Sequence, residues 1–547
     1  MSEKDNLSPL FLKNIKEASL IILKHIQDVN AHIHVQVDCD CDGLTSAALL
    51  LNYLHAVFPS VISKFSYSQH LGKQHGIDIS AIPRGTTLVI APDSSSNEYE
   101  IHQSLVQQGI EVVVLDHHEA EQFSEYACVV NNQLCDYPTK SLSGVGIVYK
   151  LCQFIDSLLP VGQQHANDFL DLVAIGLVGD MMSQLDMETH YLTQMGLNQL
   201  RNPFISAMAQ KNAYSLGDTI SPIGAAFYIV PLINAVTRVG TLEEKQLLFE
   251  SMLDWMAYDE IPSTKRGCKG QFETRVEQSV RTCGNIKNRQ TKAQDTAVEL
   301  IETIIAEEGL NEHQVLLIKV SNPSFDRGIT GLIANKIMAK YQKPTCLVVP
   351  GEYEGQPCWS GSARAPGQCA LTNFREFCQS SGLVYLAQGH GAAFGFGILD
   401  ENISRFIEYT DDAFKNITFS PVYKVDYIHS SMDYFSKEIL DLGSMKHLWG
   451  QDLNEPLIAV ENIAVTKDMV SLMARDRNPT LKIQLPNGVT CIKFKSSEEE
   501  LDNLFSENGC VNINLVGKAE VNKYFNSVTP QLIIQEYEII NRQEYYF

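Results

Sequence analysis

V-V-V-L-D-H-H-E, Val112–Glu119, is the stretch whose reading decides this fold. Apolar residues run directly into Asp116, His117 and His118. A short apolar run ending in ligand-type side chains reads as a buried parallel strand whose carboxyl end opens on a site. The same grammar appears twice upstream. H-V-Q-V-D-C-D-C-D-G, His34–Gly43, places Asp38, Asp40 and Asp42 at the end of an alternating run. T-L-V-I-A-P-D, Thr87–Asp93, places Asp93 at the end of another. Downstream, the helical run D-L-V-A-I-G-L-V-G-D closes on Asp180. Three strand ends and one helix end thus bring carboxylates and imidazoles to one edge of a sheet, where open α/β folds keep their sites.

Carboxylates massed without cations repel, and each raises its neighbour's pKa. Divalent cations among them relieve that repulsion. A mixed Asp/His set accepts manganese, magnesium or zinc, and its oxygen majority favours the first two. Two cations about 3.5–4 Å apart sharing one carboxylate form the arrangement used for phosphoryl transfer. Taken singly, each strand-end Asp reads as a helix cap or turn residue. Four segments repeating the pattern in order read as a metal centre.

Around these motifs the periodicity predicts a βαβ alternation and a parallel sheet flanked by helices. A leading amphipathic helix is expected over Ser8–Val29, from Leu10, Ile15, Leu20, Ile22, Leu23 and Ile26. Strands follow at Ile33–Val37, Thr87–Ala91 and Glu111–Leu115, and helices at Leu44–Phe58 and Glu98–Gln108. Gly144 and Gly146 open the next helix, whose bare amides suit a phosphate or merely start the helix. From Arg201 to Lys287 the pattern weakens; Arg238, in I-N-A-V-T-R-V-G, reads as a surface charge or a phosphate contact.

Thr291–Glu308 reads as one long joining helix. A second α/β unit then begins, with strand Val315–Val320, helix Gly331–Tyr341 and strand Pro344–Val349. His390 sits in a glycine-rich turn that lets a phosphate approach the backbone, and Arg364 follows a G-S-A turn suited to the same phosphate. Past Asn416 come five short alternating runs: Leu457–Val465, Leu481–Leu485, Val489–Phe494, Val511–Val521 and Gln531–Ile540. They fit a small oligonucleotide-binding (OB-like) β-barrel, or a generic β dimerisation module.

A chain of 547 residues, 44% hydrophobic and 20% charged, has the composition of an ordinary multi-domain globular protein. The formal net charge of −23 excludes a broad basic face, so any DNA contact is confined to a local groove. The 13 cysteines show neither C-x-x-C pairs nor zinc-ligand spacing and read as reduced, cytosolic residues. Cys39 and Cys41 alternate with the aspartates and are expected on the other strand face. The N-terminus lacks the apolar core of a signal peptide, and no stretch reads as a membrane span.

D-C-D-C-D-G, A-P-D, L-D-H-H and G-L-V-G-D, in this order, resemble the metal motifs of the DHH phosphoesterases. Val129–Leu151 and P-L-I-N-A-V-T-R-V-G are similar to the RecJ-like branch, the single-strand DNA exonucleases. W-S-G-S-A-R and Q-G-H-G-A-A-F-G resemble the phosphate-binding motifs of the DHH-associated domain, and L-W-G-Q-D-L-N-E-P and P-Q-L-I-I-Q the two ends of the OB-like barrel. The resemblance implies a catalytic domain over residues 1–285, a linker helix with the DHH-associated domain over 286–415, and the barrel over 416–547.

It further implies two divalent cations, manganese or magnesium. Asp40 and Asp42 would each hold one, Asp93 would bridge, and His117 and Asp180 would complete the second cation's ligand set. Asp38 and Asp116 would be outer ligands or orient the others, and His118 would lie near the scissile phosphate. Gly144, Gly146, Arg238, Arg364, Gly389 and His390 would contact substrate phosphates.

The implied activity is 5′ to 3′ hydrolysis of single-stranded DNA to mononucleotides, by a cytoplasmic monomer working with a single-strand-binding protein or a helicase. One departure stands out: the family's imidazole four residues before the second Asp is replaced by Gln36, with His34 on the same strand face. The competing readings are a DHH enzyme for short oligonucleotides or cyclic dinucleotides, and a non-catalytic replication factor. The second class tends to lose metal acids, whereas every motif aspartate is present here.

Overall fold

Ile33–Val37 (β1), Phe65–Gln69 (β2), Leu88–Pro92 (β3), Glu111–Asp116 (β4) and Cys128–Asn131 (β5) form one parallel sheet in the order β2-β1-β3-β4-β5. The computed structural model describes residues 2–544, except 73, 323–324, 326, 368–370, 372, 420–421, 430–434, 475–478, 505–508 and 525–526. Val113 and Leu115 enter a core shared with helices α1 (Ile15–Gln27), α2 (Cys41–Val57), α4 (Gly144–Asp156) and α5 (Leu170–Gly179). Val112 and Val114 point the other way, into a smaller core with Leu105 of α3 (Tyr99–Gln107). Both faces of β4 are covered, which is why its sequence is a continuous apolar run. Strand order reverses between β1 and β3, and there the carboxyl ends open a crevice.

Helix α2 begins earlier than its apolar periodicity indicates. Asp40 is its N-cap and accepts from the Gly43 amide at 3.0 Å. An aspartate already needed at the strand end therefore also starts the helix. β2 and β5 are absent from the sequence-based reading; both are short edge strands, and β2 is only partly buried. The long helix runs from Arg275 to Glu307, well ahead of the expected start. Its first half buries Val276, Val280, Cys283 and Ile286 at helical spacing, a stripe hidden among polar residues. Pro222–Val239 has a mean hydropathy of 1.4 and is long and apolar enough to cross a membrane by composition alone. Half of it is buried, and it divides into two helices at Ile229.

The chain forms two compact units, Met1–Lys287 with Val425–Phe547, and Asn288–Lys424. Within the first, the C-terminal segment is tied to the N-terminal one by backbone. The Gln184 amide donates to the Gln451 carbonyl at 2.8 Å, and Gln194 Nε2 to the His447 carbonyl at 2.7 Å. The C-terminal strands form a seven-stranded mixed sheet that contains the five expected runs and adds Tyr427–His429 and Val470–Met473 at its edges. Among the described residues no ladder joins those edges, so the expected OB-like barrel is not confirmed. The second unit carries its own five-stranded sheet. Leu316–Lys319 pairs parallel with Thr345–Tyr353, as expected of an α/β start, and Gln356–Arg364, Ala393–Leu399 and Val384–His390 continue it antiparallel.

One buried ion pair braces the N-terminal segment. Lys150 Nζ stands 2.6 Å from Glu188 Oε1, and neither side chain reaches solvent. Glu188 also accepts from the Tyr137 hydroxyl at 2.9 Å and the Leu7 amide at 2.9 Å, while Lys150 donates to the Leu7 carbonyl at 2.7 Å. Desolvation holds the Lys150 pKa below its ordinary value, and the attraction of Glu188 opposes it. Glu188→Gln strands that ammonium in the interior and should cost about 3–5 kcal/mol. Urea unfolding checks this as a lower midpoint at unchanged slope.

Candidate metal centre

The side chains named by the strand-end reading converge. Ligand atoms of Asp42, His117 and Asp180 lie within 4.8 Å of one another, as do those of Asp38, Asp40 and Asp93. Asp93 joins the two groups, because His117 Nε2 stands 3.3 Å from Asp93 Oδ1 as well as 3.3 Å from Asp180 Oδ2 and 4.0 Å from Asp42 Oδ2. Asp93 and His117 are buried, yet Asp93 Oδ1 and His117 Nε2 have no hydrogen-bond partner. Asp93 also holds a left-handed backbone at φ 66°, a strain that persists where function requires it.

The protein disposes of each carboxylate differently. Asp42 is held by the N-terminus of α4: Ser143 Oγ donates at 2.8 Å, Gly144 N at 2.7 Å and Val145 N at 3.3 Å. The helix start expected to receive a substrate phosphate thus receives Asp42 instead. A Cβ on Gly144 would meet Asp93 Oδ1 at 2.4 Å, so glycine is needed for this approach. Gly146 lies against Leu142 in the core, away from the centre.

Asp116 is fully engaged. Its Oδ1 accepts from the His117 amide at 2.7 Å and lies 2.8 Å from His118 Nδ1, and its Oδ2 accepts from the Ser96 amide at 3.0 Å. Burial pushes this carboxyl up, but His118, His117 and Ser96 outweigh it and hold it well below the usual range. Asp116 therefore orients the two histidines. In return it pushes His118 up to about 9 against the effect of burial. His117 is lowered by burial, which leaves a neutral ring with Nε2 aimed at three carboxylates.

Asp38, Asp93 and Asp180 are all raised, first by burial and then by neighbouring acids, with the His75 hydrogen bond opposing the rise at Asp38. Asp180 reaches about 8. Orphaned buried ligand atoms among carboxylates pushed toward protonation are the signature of a site built around cations, so the residues fit the implied metals.

Arg238 is depressed by burial, with Asp40 and Cys39 as the opposing charges, which places the guanidinium beside the centre. His75 is a site residue that sequence reasoning missed. It lies on the loop after β2, with Nδ1 2.7 Å from Asp38 Oδ2. Hydrogen bonds to Asp38 and Cys39 push it up to about 11. No periodic signal marks it, because it reaches the centre only through the loop.

In the second unit, Arg364 and His390 both pair with Ala393 in the sheet register, so they stand on the same face two strands apart. Gly389, at φ 132°, precedes His390. Arg375, also missed, donates from Nη1 to the Gly389 carbonyl at 2.5 Å and braces the turn.

Residues 32–177 match the DHH family, N-terminal domain. The chain is 34% identical to a Bacillus subtilis prophage-derived protein provisionally named the single-strand DNA-specific exonuclease YorK, over 97% of this chain and 92% of that one. It is 25% identical to the single-stranded-DNA-specific exonuclease RecJ of Bacillus subtilis, over 98% of this chain and 64% of that protein. The crystal structure of RecJ from Thermus thermophilus in complex with Mn2+ shares the fold at a TM-score of 0.69 and 18% identity, covering 96% of this chain and 72% of that one.

The raised carboxyls set a pH dependence for the metal-free protein. Asp180 keeps its proton in the fold up to about 8, whereas in the unfolded chain it ionises near its ordinary value of about 3.9. The folded state binds more protons across that window, so stability falls as pH rises from about 4 to about 8. Thermal melts in chelator should show this fall, Asp180→Asn should flatten it, and manganese should reverse it at neutral pH.

Proposed function

Since the chain belongs to the DHH family of RecJ-like single-strand DNA exonucleases, we propose that it hydrolyses single-stranded DNA from the 5′ end with two divalent cations, releasing 5′-mononucleotides. The observation that carries this reading is Asp93, buried and shared between two groups of ligand atoms with Oδ1 unpartnered. Asp38, Asp40 and Asp93 would hold one cation, and Asp42, Asp93, His117 and Asp180 the other. When bound, such a pair activates water and neutralises charge developing on the phosphate.

The chain's own groups supply the rest. Asp42 is presented by the α4 amides and Asp180 by the end of α5, so neither must reorganise during the reaction. Asp116 fixes His118 through Nδ1 and keeps it protonated at neutral pH, leaving its half-exposed ring to donate to a phosphate oxygen. Arg238 adds a fixed positive charge beside Asp40. These cations offset the −23 charge locally, where a backbone phosphate must enter.

Incubated with manganese, 5′-labelled single strands should release labelled mononucleotide at once, and 3′-labelled strands should shorten progressively. A blunt duplex of the same sequence should resist. Degradation of the duplex at the single-strand rate, or release from the 3′ end first, would remove this reading. Asp93→Asn should abolish turnover while the protein stays folded, as circular dichroism would show.

In the second unit, Arg364 and His390 are proposed to grip phosphates. Changing either to Ala should weaken binding of single-stranded DNA by roughly 1.5–3 kcal/mol. Manganese affinity should be unchanged, and Arg364→Ala should flatten the salt dependence by about one phosphate contact. Calorimetry with DNA at several salt concentrations, beside manganese titrations, checks both.

A further inference from the structure

Gln36, at the position where the resemblance expects an imidazole, is committed elsewhere. Its Oε1 accepts from the Asp78 amide at 3.1 Å and from Ser68 Oγ at 3.2 Å. His34, on the same face, has Nδ1 2.9 Å from Ser66 Oγ and Nε2 3.0 Å from Ser68 Oγ. With both ring nitrogens engaged by β2 hydroxyls, His34 does not turn to the carboxylates.

An imidazole arrives from the following loop instead. His75 Nδ1 is 2.7 Å from Asp38 Oδ2, and its ring nitrogens are 3.8 and 3.6 Å from Cys39 Sγ. Ligand atoms of Asp38, Cys39 and His75 lie within 4.8 Å of one another. Asp38 is 1% exposed, and its Oδ1 has no partner. Cys39 was expected to face away from the aspartates, yet it shares the imidazole that Asp38 binds.

The loop is held in place. Lys245 Nζ donates to the carbonyls of His70 at 2.9 Å, Leu71 at 2.7 Å and Gly72 at 3.3 Å. The Ile77 amide donates to Glu98 Oε2 at 2.9 Å, and the Asp78 amide to Gln36. The residue that replaces the expected imidazole is therefore one of the anchors of the loop that delivers His75.

We propose that Asp38, Cys39 and His75 form a cation subsite at the outer end of the centre, with His75 supplying the imidazole that position 36 lacks. The inference rests on the two-cation reading above and adds a ligand chemistry to it. A thiolate and an imidazole beside one carboxylate select softer divalent ions, zinc or cobalt, over magnesium, with manganese between. Binding releases the Cys39 thiol proton and the proton between His75 and Asp38 to solvent, and each donor atom then bonds the ion. Asp38 also belongs to the group with Asp40 and Asp93, so the subsite is continuous with the centre.

The test uses the full-length protein stripped of metal. Titration with cobalt should produce a cobalt–thiolate charge-transfer band, lost in Cys39→Ser. Zinc calorimetry should show a site weakened at least about tenfold in His75→Ala, with the remaining site unchanged. Metal-free melting temperatures establish that both variants fold. His75→Gln should not restore zinc affinity.

A wild-type protein without the thiolate band overturns the proposal, as does a band that survives Cys39→Ser. So does His75→Ala binding zinc with wild-type stoichiometry and affinity, which would leave His75 as a charged partner of Asp38 only. Nuclease assays run in parallel separate the two readings. Inactive wild-type protein that shows the cobalt and zinc signatures sinks the exonuclease reading alone. Active wild-type protein without them sinks the subsite alone.

Discussion

Mutual repulsion among Asp38, Asp40, Asp42, Asp93 and Asp180 is the constraint on which the catalytic half depends. Asp38, Asp93 and Asp180 are raised by burial and by their acidic neighbours, and the surrounding fold must hold them until cations arrive. The N-terminus of α4 supplies a hydroxyl and two amides to Asp42, a fixed partial positive charge that needs no proton. His75 serves Asp38 in the same way with a full charge. Asp93 receives no such help and carries the burden in a left-handed backbone with an orphaned oxygen. That uneven treatment marks Asp93 as the atom most in need of a metal.

Identical residue types thereby acquire different tasks. Asp116 and Asp93 both close apolar strands and both are about 1% exposed. Asp116 meets three amides and an imidazole, sits well below the usual carboxylate range and orients its neighbours. Asp93 meets only other acids and the His117 imidazole, and is driven upward. His117 and His118 divide similarly. One is buried and neutral with Nε2 inward, and the other is half-exposed and cationic. Environment, more than residue type, separates the ligand from the positioning group.

Glycine has a related role at the centre. The α4 glycines read equally well as a phosphate cradle or a helix start, and the structure shows why neither is the whole account. Gly144 gives its amide to Asp42 and its missing side chain to Asp93. Gly176 of α5 is needed for its missing side chain alone, since a Cβ there would stand 2.5 Å from Asp42 Oδ1. Close approach of helices to carboxylates is what these positions provide.

The sequence by itself determined the strand-end acids, their order and the parallel sheet beneath them. Apolar runs and periodicity are local signals, and β4 shows its double burial in four consecutive residues. It also contained the expected alternation in the second unit and five of the seven C-terminal strands. What only the tertiary structure decided depends on contacts between distant segments. Ser143 and the α4 amides reach Asp42 across about a hundred residues of chain. His75 reaches Asp38 through a loop that Lys245 clamps from far downstream. Short edge strands and the early start of the long helix were equally beyond periodicity. Each is set by packing against neighbours that no local window of sequence contains.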